Sequence, residues 1–152
     1  MTTKKHKLNL SIQYADPSLQ EILTRSILRK TVQAALLFPA EITLRIVNAD
    51  EGKTLNRDYR GKDYATNVLT FAYTEDEDAE VTQADIILCT EVLEKEAQEQ
   101  NKSVLEHAQH LVVHGVLHAQ GYDHEEDEDA EEMESLEIEI LAGLGLANPY
   151  AE

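Results

Sequence analysis

Residues 6 to 14, HKLNLSIQY, alternate apolar and polar side chains, the period of a half-buried strand. From about residue 17 to 38 the period changes. Leu19, Ile22, Leu23, Ile27, Leu28, Val32 and Leu36 recur at helical spacing, with Asp16 and Pro17 as the start signal. EITLRIVN returns to period two, residues 50 to 60 read as a short helix, and VLTFAY reads as another strand. The apolar run ADIILCT predicts a strand covered on both faces. Glu91 to Glu99 predicts a helix. Ser103 and Glu106 then form an S-x-x-E capping box, which opens a long helix from about 104 to 120. A last helix, about 128 to 143, has Met133, Leu136, Ile140 and Leu144 as its apolar stripe, with its glutamates expected in solvent. The order β, α, β, α, β, β and then helices predicts an α+β domain, a small mixed β-sheet packed against a helical layer. At 152 residues the chain is expected to be one domain, 1–152, with its own core.

The candidate chemistry lies in the long helix and just past it, in HGVLHAQGYDH. His114 and His118 are four residues apart and share a helix face. Gly121 can leave the helix in a left-handed turn, which lets His124 return to complete a triangle of imidazoles. Three histidine nitrogens with a fourth position open is the ligand set of a catalytic zinc ion. The spacing is that of the zinc-protease motif H-E-x-x-H-x-x-G-x-x-H, but position 115 is Gly where the protease has its glutamate base. The metal geometry is retained and the proteolytic proton acceptor is missing, so the pattern points to a metal-dependent hydrolase other than a peptidase.

Charge refines the picture of the partner. The net charge is −17, but 12 of the 30 acidic residues lie from Asp123 onward, where there is no lysine or arginine. Residues 1 to 122 carry a net −5, and Lys53, Arg57, Arg60 and Lys62 fall within ten positions. A local cationic patch on an acidic protein follows. Glu75 to Glu80 reads as a solvated loop. No apolar run approaches the ~20 residues of a membrane helix. MTTKKHKLNL has no apolar signal core, and the single Cys89 has no partner for a disulfide, so a cytoplasmic protein is expected.

Three blocks between about residues 44 and 150 resemble the YbeY family of bacterial single-strand-specific metallo-endoribonucleases. LNRDYRGKDYATNVLTF is similar to the family's L-N-x-x-Y-R-x-K-D-x-x-T-[DN]-V-L-[ST]-F, with Ala65 where proline is frequent. ADIILC is similar to G-D-I-V-I-[SC], with Ala84 in place of glycine. HGVLHAQGYDH matches H-G-x-L-H-x-x-G-Y-D-H throughout. The resemblance implies a zincin-like α+β fold with one zinc ion per chain held by His114, His118 and His124. It implies action on single-stranded ribosomal RNA in maturation of the small-subunit (16S) 3′ end and in late-stage ribosome quality control. Ribosomal small-subunit proteins are then further partners, and neither DNA nor a membrane is expected.

Among the remaining residues, Arg60 is the candidate for stabilising charge on the cleaved phosphate, because a guanidinium grips phosphate oxygens in bidentate fashion. The resemblance singles out the same arginine. Its structural alternative is an exposed helix-end residue paired with a nearby acid. Arg57, Tyr59 and Lys62 are candidates for guiding the backbone or stacking on a base. His110, one turn before His114, is read as supporting the metal ligands or packing, and His107 as a surface residue. Asp85 and Asp123 are candidates for anchoring a ligand histidine through its ring N–H. The nucleophile is left open between metal-bound hydroxide and the RNA's own 2′-hydroxyl. Two other classes compete: a metal hydrolase of another kind, and a ribosome assembly or interaction factor whose structural metal takes His110 or Asp123 as fourth ligand.

Overall fold

The computed structural model describes residues 6–62, 64–73, 81–121 and 127–150, the last segment without the side chains of 127–129. Strand β1 (Leu8–Tyr14) is followed by a 3₁₀ turn (Pro17–Leu19), α1 (Arg25–Ala34), β2 (Ala40–Val47) and α2 (Ala49–Arg60). Then come β3 (Val68–Ala72), β4 (Thr82–Cys89), α3 (Thr90–Glu99), α4 (Val104–Ala119) and α5 (Asp127–Gly143). The sheet order is β1-β2-β4-β3, with β1, β2 and β4 parallel and β3 antiparallel on the edge. The mixed sheet and helical layer are as the patterning predicts.

The predicted helix from 17 to 38 is shorter and broken. Asp16 caps the 3₁₀ turn, accepting from Ser18 N at 3.0 Å, and Thr24 starts α1 anew by accepting from Ile27 N at 3.3 Å. Between them the Leu23 carbonyl accepts from the Tyr14 hydroxyl at 2.6 Å. Two N-caps in one apolar-periodic stretch divide it, and periodicity alone cannot register that. At the other end, the Gln120 side-chain oxygen accepts from Leu37 N (2.7 Å) and Phe38 N (3.2 Å), while its Nε2 donates to the Ala35 carbonyl (2.9 Å). One side chain from the end of α4 thus satisfies the backbone groups where α1 stops.

The core lies between the sheet and α1 and α4. Ile42, Leu44 and Ile46 of β2 and Ile86 and Leu88 of β4 meet Val112, Val116 and Leu117 of α4, each at most 2% exposed. Full burial of such a side chain stabilises by roughly 1.5–3 kcal/mol. The other sheet face is divided. Val47, Leu69 and Ile87 pack under Leu55 of α2, with Phe71 at the margin. Its remaining half is an open groove of about 310 Å³ lined by Asn9, Ser11, Glu41, Gln83, Asp85 and Tyr73. Strand β4 is therefore covered on both faces from Ile86 onward, as predicted, but not at Gln83. Among the described residues, no helix is long and apolar enough to cross a membrane. The predicted acidic loop 75–80 lies outside the described residues.

Candidate functional site

The capping box starts α4 as predicted: Glu106 N donates to Ser103 Oγ at 3.0 Å, and Ser103 Oγ donates to Glu106 Oε1 at 3.1 Å. Gly115 is the point where this helix meets the sheet. A Cβ there would come within 3.2 Å of both Ile86 Cγ2 and Thr70 Oγ1. The position of the protease glutamate therefore faces packed sheet, which gives a steric reason for glycine there. On the α1 side, Gln109 Nε2 donates to Thr31 Oγ1 at 3.1 Å. His114 is five residues further on, about 140° around the helix axis. His114 and His118 consequently turn away from α1.

The two imidazoles lie 6.3 Å apart between ring centroids and only 21° from parallel. His118 is exposed and His114 half-buried. Gly121, at φ +104°, takes the chain out of the helix as the sequence predicts. His124 and Asp123 lie outside the described residues, and among the described residues no group of three potential metal ligands comes together.

Beneath His114 sits a carboxylate that sequence reasoning placed in solvent. Glu137 of α5 is 0% exposed, and its Oε1 is 2.7 Å from His114 Nδ1. The Tyr150 hydroxyl donates to Oε2 at 2.5 Å, and His110 Nε2 approaches Oε1 at 3.6 Å. Burial pushes the carboxyl up, but the hydrogen bonds outweigh it and hold Glu137 down at about 2. Of these contacts, His114 and Tyr150 have hydrogen-bonding distances, whereas His110 lies just beyond. An ionised Glu137 requires the proton of His114 on Nδ1, so Nε2 is the nitrogen available to a metal. That is the arrangement typical of metal-binding histidines. In chemistry and tautomer, His114 suits a zinc ion.

The surroundings revise several expectations. His107 is buried, 3% exposed, with Nε2 2.9 Å from Glu96 Oε1, where a surface residue was expected. The same Glu96 oxygen accepts from Asn67 Nδ2 at 3.0 Å, tying α3 and α4 to the start of β3. His110 directs Nε2 at Tyr150 (3.3 Å), and the two rings meet edge-on at 5.4 Å. Asp85, expected to anchor a histidine, instead accepts from the Tyr73 hydroxyl at 2.6 Å; this bond and burial push the phenol up to about 12. Burial and Glu137 likewise raise Tyr150 far above the ordinary phenol range.

Arg60 ends α2, exposed, with Gly61 at φ +70° as the left-handed stop behind it. Among the described residues no acid pairs with it. Arg57 forms an exposed pair with its neighbour Asp58 at 3.3 Å. Buried Asn56 donates to the Tyr64 carbonyl at 2.8 Å and holds the segment that carries Arg60 and Lys62. Tyr59 packs edge-on against Phe71, centroids 5.2 Å apart. Among the described residues no hydrogen bond or ion pair joins the arginine to the histidines. The helices that carry them, α2 and α4, pack on opposite faces of the same strand, β3, where Phe71 meets Tyr59 on one side and Thr70 meets Gly115 on the other.

The family model described as endoribonuclease YbeY matches residues 1–145. The chain belongs to the endoribonuclease YbeY family. Among its relatives is the endoribonuclease YbeY of Janthinobacterium sp. (strain Marseille), 76% identical over 97% of both chains. That of Herminiimonas arsenicoxydans is 68% identical over 98% of this chain and 99% of its own. In solved structures, the solution structure of TM1509 from Thermotoga maritima superposes with a TM-score of 0.56 at 28% identity, covering 91% of each chain. The zincin-like α+β architecture expected of the YbeY family is consistent with this fold.

Proposed function

We propose that this chain, acting as one catalytic domain over residues 1–152, cleaves single-stranded RNA with one zinc ion held by His114, His118 and His124. Its place is in maturation of the 16S ribosomal RNA 3′ end and in late-stage ribosome quality control, in the cytoplasm, with ribosomal small-subunit proteins as further partners. Membership of the endoribonuclease YbeY family supports a hydrolase acting on the phosphodiester bonds of RNA. The observation that carries the metal reading is the buried Glu137 carboxylate, 2.7 Å from His114 Nδ1, with His118 one turn further along the same helix face.

Zinc bound there supplies a Lewis acid and an acidified water. The remaining work belongs to side chains. Glu137 fixes the tautomer and orientation of His114, and Tyr150 fixes Glu137. Arg60, exposed at the end of α2, grips two oxygens of the phosphate and neutralises the charge that builds there during cleavage. Gly115 leaves the site without the protease's general base, which supports phosphate rather than peptide chemistry.

A substrate panel tests this reading. Metal-loaded protein is incubated with an unstructured RNA, the same RNA annealed to its complement, and casein. Cleavage of the single strand alone is expected. Casein cleavage abolished by His114→Ala, with RNA left intact, overturns it.

A further inference from the structure

Four of the chain's eight aromatic residues, Tyr59, Tyr64, Phe71 and Tyr73, fall between positions 59 and 73. Three of them are among the most exposed large side chains of the protein: Tyr59 at 69%, Tyr64 at 56% and Tyr73 at 59%. Exposed rings gathered in one place mark a binding surface more often than a stray core residue does. Here each ring of interest is also fixed. Tyr59 leans edge-on against Phe71 at 5.2 Å, an arrangement that leaves one of its faces to solvent. Tyr73 lies two residues after Phe71, just past the end of β3, and its hydroxyl donates to Asp85 at 2.6 Å. The chain leaves the strand there, with Tyr73 N still bonded to the Gln83 carbonyl at 2.8 Å. Tyr59 is thus held by its packing and Tyr73 by its hydroxyl, with more than half of each side chain exposed to water.

The charge beside them identifies the occupant. Arg57, Arg60 and Lys62 are all exposed on the same segment, in a chain whose net charge is −17. Arginines and a lysine next to exposed tyrosines match the two halves of a nucleotide, phosphate and base. The location agrees, since the opposite face of β3 carries the helix of His114 and His118. We propose that Tyr59 and Tyr73, backed by Phe71, form a stacking platform for unpaired bases of the RNA, with Arg60 and Lys62 holding the phosphates alongside. A base in a duplex has both faces occupied by its neighbours and cannot use such a platform. The surface thereby contributes a preference for single strands that the metal site cannot supply, because every phosphodiester offers the metal the same oxygens. The proposal rests on the reading of RNA as substrate, and deepens it by naming where the bases go.

The test is binding with zinc chelated, so that nothing is cut. The probe is a uridine-rich, unstructured RNA oligonucleotide carrying one 2-aminopurine, whose fluorescence is quenched when it stacks. Tyr59→Ala is expected to weaken binding by roughly 5- to 150-fold, the range for losing one stacked base. It should reduce the quench and leave the salt dependence unchanged. Tyr73→Ala should act in the same direction, and Tyr59→Phe should bind like wild type. Arg60→Ala should instead flatten the log–log salt slope by about 0.7, one phosphate of a single strand. Each variant's thermal melt is compared with wild type to confirm folding. Wild-type affinity and quench in both Tyr59→Ala and Tyr73→Ala overturn the platform while leaving the substrate reading intact. Wild-type protein that binds the annealed duplex as tightly as the single strand overturns both.

Discussion

Replacing Glu137 with glutamine tests whether the buried carboxylate serves the metal or merely fills α5. Glutamine keeps the shape, and its carboxamide oxygen can still accept from His114 Nδ1 while the negative charge is lost. Removing a carboxylate that backs a ligand histidine costs about 10- to 100-fold in metal affinity. In melts run at zinc 100-fold above the wild-type Kd, bound metal contributes about 2.7 kcal/mol. For a domain of this length that raises Tm by roughly 5–11 °C. If affinity falls 100-fold, the same zinc equals the new Kd, and the increment shrinks to about 0.4 kcal/mol, or roughly 1–2 °C. With zinc chelated, Glu137→Gln should melt below wild type, because the hydrogen bonds that hold the carboxylate ionised outweigh its desolvation, but well above Glu137→Ala, because the side chain still fills its site. Glu137→Ala differs in kind. It opens a cavity and strands the Tyr150 hydroxyl and the His114 ring N–H, each at about 1–3 kcal/mol, and lowers the metal-free Tm further. The assay is a chelator-competition titration of zinc beside melts with and without chelator. A Glu137→Gln protein with wild-type zinc affinity refutes the reasoning, as does one whose metal-free stability falls as far as that of Glu137→Ala.

Three further outcomes follow from the same structure. Arg60→Ala should keep zinc and Tm while RNA cleavage falls about 10²-fold or more, the scale of removing one transition-state charge stabiliser; single-turnover cleavage and a melt check it. Gln120→Ala should lower Tm by roughly 2–12 °C, because it leaves backbone groups of Ala35, Leu37 and Phe38 without their partner, at about 1–3 kcal/mol in all. Tyr73 holds its proton up to about 12, so the stability it lends is complete below the unfolded phenol value near 10 and is lost between pH 10 and 12. In a phenolate absorbance titration, Asp85→Asn should move one late-titrating tyrosine back toward 10, and Tyr73→Phe should remove it.

The sequence is most legible where a signal is local. Ser103 and Glu106 set the start of α4 through a contact three residues long, and Gly121 supplies the positive φ that ends it. Alternation located the strands because one face of the sheet is buried and the other half open. The carboxylate under the site is masked by the acidic composition of α5, although its period marks it. Met133, Glu137 and Leu141 are spaced i, i+4, i+8, and the two apolar ones are 1% exposed. A glutamate in the middle of a buried row requires a partner, and His114 is that partner. Tyr150 carries no such signal: it reaches Glu137 only because the chain after α5 turns back over His110. Tyr73 and Asp85 meet through the β3–β4 register, in which Phe71 lies opposite Asp85, and spacing along the chain does not reveal that pairing. His107 looked like a surface histidine because its partner Glu96 belongs to another helix.

The most direct test of the central claim is the rate at which an unstructured RNA is cut as free zinc is varied with a chelating buffer. The metal-site reading predicts a wild-type rate that rises from near zero and saturates with one zinc per chain. His114→Ala and His118→Ala should stay flat across the same range while melting cooperatively without metal, since the buried core between sheet and helices holds the fold by itself. Undiminished cleavage by wild type with zinc fully removed, or a wild-type zinc profile in His114→Ala, would contradict it.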